Sequence, residues 1–138
     1  MLSEYCKKWI SHAQNDIGIA TREMDLQVNP RHRAYEAILY HSQQATEKML
    51  KAYLINKGEN PWGHDLDSLR SSCAAFDNSF NGIRLARHCL YLTSFVAARY
   101  PDFTMSIDAS MAIRGLKSAK RVYDFVSEKL GLGKMFYP

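Results

Sequence analysis

The amino-acid sequence predicts an all-α protein. It reads as one domain over residues 1–138, an antiparallel up-and-down bundle of four long helices plus one shorter helix. Three observations carry this. Apolar residues recur at gaps of three and four over long windows, the period of a helix face. No stretch of useful length alternates apolar and polar residues, as a half-buried strand would. The breaks around Pro30, Gly58–Gly63, Asp77–Ser79 and Pro101 are short, and short connections favour antiparallel neighbours.

The first helix is expected over residues 3–27, with Ser3 at its start and a stripe of Cys6, Trp9, Ile10, Ala13, Ile17, Ala20 and Met24. Lys7, Lys8, Gln14, Asn15, Asp16, Arg22 and Glu23 fall between these positions and read as a solvated face. Pro30 disfavours helix at Asn29 and ends the element. The central helix spans 33–57. Its row of Ile38, Ala45, Met49 and Ala52 is broadened by Tyr35, Leu39, Leu50, Tyr53 and Leu54, so it should touch more than one neighbour. Glu47 and Lys51 form an i,i+4 pair in the favourable order, and Gly58 suits the C-cap.

A shorter third helix follows from His64, with Leu66, Leu69, Cys73 and Phe76 inward and Asp65 and Asp67 in the first turn, where the helix dipole favours acids. The fourth helix, 80–99, places Ile83, Ala86, Leu90, Thr93 and Ala97 on one line, with Cys89, Leu92 and Val96 beside it. Asn81 or Ser79 could cap it. Ser106 or Asp108 caps a fifth helix to about residue 130, striped by Ala109, Ala112, Ile113, Leu116, Ala119, Tyr123 and Val126. The apolar tail Lys134–Pro138 either docks on the bundle or frays.

The formal charge of +4 and pI near 9.0 tilt the partner class mildly towards anions such as a nucleotide, RNA or an acidic protein. Cys6, Cys73 and Cys89 have neither metal-finger nor redox spacing and read as buried thiols. No signal-peptide core and no membrane-length apolar run are present, which points to a cytoplasmic protein. The five histidines never form a two-histidine zinc pattern, and no glycine-rich phosphate loop appears, so no metal or cofactor is expected.

Four constellations could carry chemistry. His41, Gln44, Lys48 and Lys51, spaced three, four and three, share one helix edge and could hold a phosphate. The plainer reading is a solvated edge with a Glu47–Lys51 pair. His64 with Asp65 could act as a base and its orienting acid, but such a pair more often caps a helix. Arg84 and His88 are i,i+4 neighbours, with Arg87 nearby, and could cut RNA with histidine as acid/base and arginine stabilising charge on phosphorus. They are equally an ordinary basic face. Arg99, before Tyr100-Pro101, either suits the helix C-terminus or turns into a shared groove.

Taken together, these parts resemble the HEPN domain family (higher eukaryotes and prokaryotes nucleotide-binding). The resemblance rests on Trp9, Ala13 and Asp16, then Tyr35-Glu-Ala-Ile-Leu-Tyr-His-Ser-Gln-Gln-Ala-Thr-Glu-Lys-Met-Leu-Lys-Ala52. It continues through Gly58, Pro61, His64-Asp-Leu66 and Leu69, then Arg99-Tyr-Pro-Asp102 and Asp108-Ala109. It implies a helical bundle, commonly a homodimer, often paired with a separately encoded minimal nucleotidyltransferase in a toxin–antitoxin-like module. Many members are metal-independent RNases with four to six residues between an arginine and a histidine. Here Arg84 to His88 leaves three, and one residue on a helix is about 100° of rotation. With Arg99-Tyr-Pro late in the fourth helix, the chain looks more like the branch that binds nucleotides or supports a nucleotidyltransferase, and Lys48, Lys51, His64, Asp65 and Arg99 are the residues expected to face an anion or cleft. The alternative is an endoribonuclease using Arg84 and His88 across a dimer.

Overall fold

Five α-helices build the protein, with no strand among the described residues. In this computed structural model they run Glu4–Asp25 (α1), Tyr35–Asn56 (α2), Leu66–Ala74 (α3), Ile83–Thr93 (α4) and Ala109–Lys129 (α5), with a 3-10 turn at Asn78–Asn81. The structure describes residues 1–29, 31, 33–95 and 106–138. The expected end of the fourth helix, with Val96, Ala97 and Arg99-Tyr-Pro-Asp102, lies outside them. No helix among the described residues is long and apolar enough to cross a membrane.

Three of the helix starts, those of α1, α3 and α5, are set by side-chain caps. Ser3 accepts from the N–H of Cys6, Asp65 from those of Asp67 and Ser68, and Asp108 from that of Met111. Each satisfies amide donors that the first turn leaves without a partner. Asp77 rather than Ser79 or Asn81 caps the 3-10 turn, and α4 begins at Gly82 with no side-chain cap. Gly58 takes the left-handed conformation (φ +85°) that a chain leaving α2 needs and that a Cβ would disfavour.

α2 is the axis of the fold. It packs against α1, α3, α4 and α5, which is why its buried residues go round the helix instead of forming a stripe. The Cys6 thiol donates to the carbonyl of Ala52 while Asp16 reaches His41, so α1 and α2 are antiparallel. His88 meets Ser118 and Tyr91 meets Met111, so α4 and α5 are antiparallel too. Gly115 lets α5 approach α2: a Cβ there would overlap the buried side chain of Leu39. Tyr53, Phe80 and Phe125 stack in sequence, with ring centroids 4.6 and 5.1 Å apart, and lock the 3-10 turn between α2 and α5.

Three expectations are corrected. On α4 the core-facing residues are Leu85, Cys89 and Leu92, while Ile83 and Leu90 of the expected line are 66% and 54% exposed. Both rows have helical period, and packing selected the one that meets α2 and α5. On α5, Ile113 is exposed. Phe76 lies past the end of α3 and lines a surface groove with Trp62.

The tail docks. The buried carboxylate of Asp124 accepts from the backbone N–H groups of Met135, Phe136 and Tyr137 at 2.7–3.2 Å. Phe136 then packs edge-on to Tyr123, at 5.2 Å between centroids.

Candidate functional site

Two buried carboxylates organise the α1–α2 face. Asp16 receives the Nδ1–H of His41 at 2.8 Å and the ammonium of Lys48 at 2.6 Å. Glu47 receives Lys51 at 3.0 Å and His64 Nδ1 at 3.1 Å. An ionised carboxylate only accepts, so both imidazoles carry their proton on Nδ1. Lys51 and Glu47 are both buried, which makes their pair structural: opening it would leave a desolvated charge without a partner.

The expected solvated edge is thus an internal polar seam. His41, Lys48 and Lys51 are brought together, but each is already held by an acid. His64 joins that seam from the loop before α3. Asp65 points away from it and caps α3. Arg99 lies outside the described residues. Asp16, expected on a solvated face, is buried because it sits one position from the apolar stripe, where α2 supplies two donors.

Beside the seam a cleft of about 260 Å³ opens between the outer face of α1 and Lys48. Tyr5, Lys8, Trp9 and His12 line the rest of it. These α1 residues share a face because they are three to four apart. The Tyr5 and Trp9 rings meet edge-on, with centroids 6.2 Å apart, and the Lys51 ammonium lies 5.6 Å from the Trp9 ring centre. Lys8 and His12 form no hydrogen bond or ion pair within the described structure. Lys48 spends one of its three donors on Asp16. The arrangement offers an aromatic wall and two cationic groups, which suit a base and a phosphate. Sequence reasoning named Lys48 but passed over Lys8 and His12; their i,i+4 spacing around Trp9 was the available signal.

Arg84 and His88 fall in a second place, the groove between α4 and α5. His88 Nδ1 lies 3.0 Å from the hydroxyl of Ser118. Burial, then the charges of Arg121 and Arg114, push its pKa below the ordinary imidazole value. Arg84 is exposed. The three cysteines are free and buried; burial raises the pKa of Cys73 and Cys89 to about 12, so both thiols stay protonated. Among the described residues no group of three or more His, Cys, Asp or Glu is placed to hold a metal ion.

A bundle of this topology, with its polar seam at the α1–α2 interface, defines a class of all-helical domains. The HEPN domain model matches residues 6–130, and the chain belongs to that family. Two crystal structures share the fold. TT1696 from Thermus thermophilus is 22% identical, with a TM-score of 0.79 over 92% of this chain and 99% of that one. ST0689, an archaeal HEPN homologue, is 21% identical, with a TM-score of 0.70 over 91% and 97%. No curated protein matches the chain significantly.

The depressed pKa of His88 has a consequence for stability. Because the unfolded chain, at about 6.5, binds the proton more readily than the native state, the stability of neutral His88 is complete above that value. It is lost as pH falls through 6.5 towards the lower native value. Chemical denaturation of wild type and His88→Gln at pH 7.5 and 5.5 should show a smaller acid-induced loss in the variant. Equal losses would contradict it.

Proposed function

We propose that this HEPN domain is a non-catalytic binding module for a phosphate-bearing ligand, a mononucleotide, held in the Tyr5–Trp9–Lys48 cleft. The observation that carries the reading is the pairing of a half-buried indole with Lys8 and His12, which have no partner among the described residues, beside Lys48. Trp9 supplies a stacking surface for a base. Lys8 and Lys48 supply point charges for phosphate. The cleft is slightly smaller than typical ligand sites of about 300–1,000 Å³, which suits a mononucleotide better than a dinucleotide. In this reading the domain forms a homodimer and serves a minimal nucleotidyltransferase in a toxin–antitoxin-like module. Lys51 and His64 then act through the seam by fixing Trp9 and the α2 edge, not as direct ligands.

A second reading, a metal-independent endoribonuclease, is favoured by one observation. Burial, then the charges of Arg121 and Arg114, disfavours the protonated form of His88, which suits a general base for a ribose 2′-hydroxyl. Arg84 would stabilise charge on the phosphate.

Both readings are separated by one set of proteins. Titration of fluorescent ATP into wild type should give saturable binding, weakened about tenfold by Trp9→Ala and by Lys8→Ala, and unchanged by His88→Ala. Equal affinity in wild type and Trp9→Ala removes the cleft from the site. Cleavage of a labelled RNA that disappears in His88→Ala would favour the enzyme.

A further inference from the structure

The outward face of α4 and α5 carries charge that nothing in the described structure neutralises. Arg84, Arg87, Arg114, Lys117 and Arg121 lie on it, five cations on a chain whose net charge is +4. α4 has no acid at all. The acids of α5 are engaged elsewhere: Asp124 binds the tail amides, and Glu128 lies 4.0 Å from Lys134. At the ends of the face Asp108 caps α5 and Asp77 pairs with Lys129.

The layout is ordered. Leu85, Cys89 and Leu92 face the core, so helical spacing points Ile83, Arg87 and Leu90 straight out. Arg84, His88 and Tyr91 form the next row, towards α5. Across the groove Arg114 and Arg121 stand one turn either side of Ser118, the partner of His88. The guanidinium of Arg114 lies 3.9 Å from the centre of the Tyr91 ring and that of Arg121 3.7 Å from that of Tyr137. Stacking limits their rotamers, so less entropy is lost when they bind. Ile83 and Leu90, two turns apart, are exposed beside Arg87.

We propose that the α4–α5 face docks an acidic amphipathic helix of a partner protein, its apolar row seated on Ile83, Leu90 and Tyr91 and its flanking carboxylates on Arg84, Arg87, Arg114, Lys117 and Arg121. Two features select this occupant. A phosphate backbone would use the cations but leave Ile83 and Leu90 without a partner, whereas arginine, tyrosine and aliphatic residues together are what protein interfaces concentrate. A second copy of this chain related by a two-fold axis would set five cations against five, and like-charge contact opposes it. A helix of two to three turns matches the length from Ile83 to Leu90, roughly 10 Å along the axis.

The test uses the full chain and a labelled synthetic helical peptide of about four turns, with leucines along one face and glutamates flanking them. Its controls are a scrambled peptide of equal composition and a single-stranded RNA oligonucleotide. At near-physiological salt the striped peptide should bind, and both Leu90→Ser and the double charge reversal Arg87→Glu/Lys117→Glu should weaken it about tenfold. All three positions are exposed and without partners among the described residues, so circular dichroism should show an unchanged fold. Trp9→Ala should leave the peptide affinity unchanged, which separates failure here from failure of the nucleotide cleft. The proposal is overturned if the striped peptide does not bind or the scrambled one binds as well. It is equally overturned if the charge reversal abolishes binding of RNA but not of peptide, or if Leu90→Ser has no effect.

Discussion

The fold depends on a carboxylate that α1 delivers into its contact with α2. Asp16 is buried and holds His41 and Lys48 at once. Its two oxygens accept from two donors seven residues, or two turns, apart on α2, so α2 cannot rotate or slide against α1 without stranding a charge. Asp16 is buried but its donors are partly exposed, so removing one of them costs on the order of 1–3 kcal/mol, the penalty of an under-satisfied buried acceptor. That is still a sizeable part of the margin of a small domain. The apolar rows supply most of the driving force for folding; Asp16 chooses which register of those rows is native.

The same device recurs twice. Glu47 gathers Lys51 and His64 and ties the loop before α3 to α2. Asp124 gathers three backbone amides and ties the tail to α5. Glu47 satisfies the buried ammonium of Lys51, and Asp124 the tail amides, groups that are costly to desolvate alone, while His64 is tethered from the exposed loop. The functional consequence is an allocation of cations. Those of the α1–α2 seam, Lys48 of the cleft rim included, are held by acids, while Lys8 on the rim and the cations of the α4–α5 face have no acid partner among the described residues. A residue type that suits an anion is therefore a poor guide to the site until its intramolecular partners are known.

The all-α architecture and the caps at Ser3 and Asp65, with Asp108 as one of two candidates for α5, were legible in the sequence because each depends on local spacing and local hydrogen bonds. The Glu47–Lys51 pair was legible for the same reason. The burial of Lys51 was not, since it depends on Trp9 and His64 arriving from other elements. The α4 face was misread because Ile83, Leu90 and Leu85, Cys89, Leu92 are two apolar rows of equal period, and only the position of α2 and α5 decides between them. Family membership was legible through the run from Tyr35 to Ala52 joined to His64-Asp-Leu66. The cleft was not, because its residues come from α1, where Lys8 and His12 look like any solvated pair.

In the proposed reading, ligand recognition falls to the Trp9 cleft, and the residues of the seam hold that cleft in shape. Proton–nitrogen correlation spectra of the labelled protein, recorded as AMP is added, test this most directly. The indole N–H of Trp9 and the amides of Tyr5, Lys8 and His12 should shift, while those of His64 and Asp65 stay in place. Shifts concentrated at His64 and Asp65, with the Trp9 indole unmoved, would contradict it.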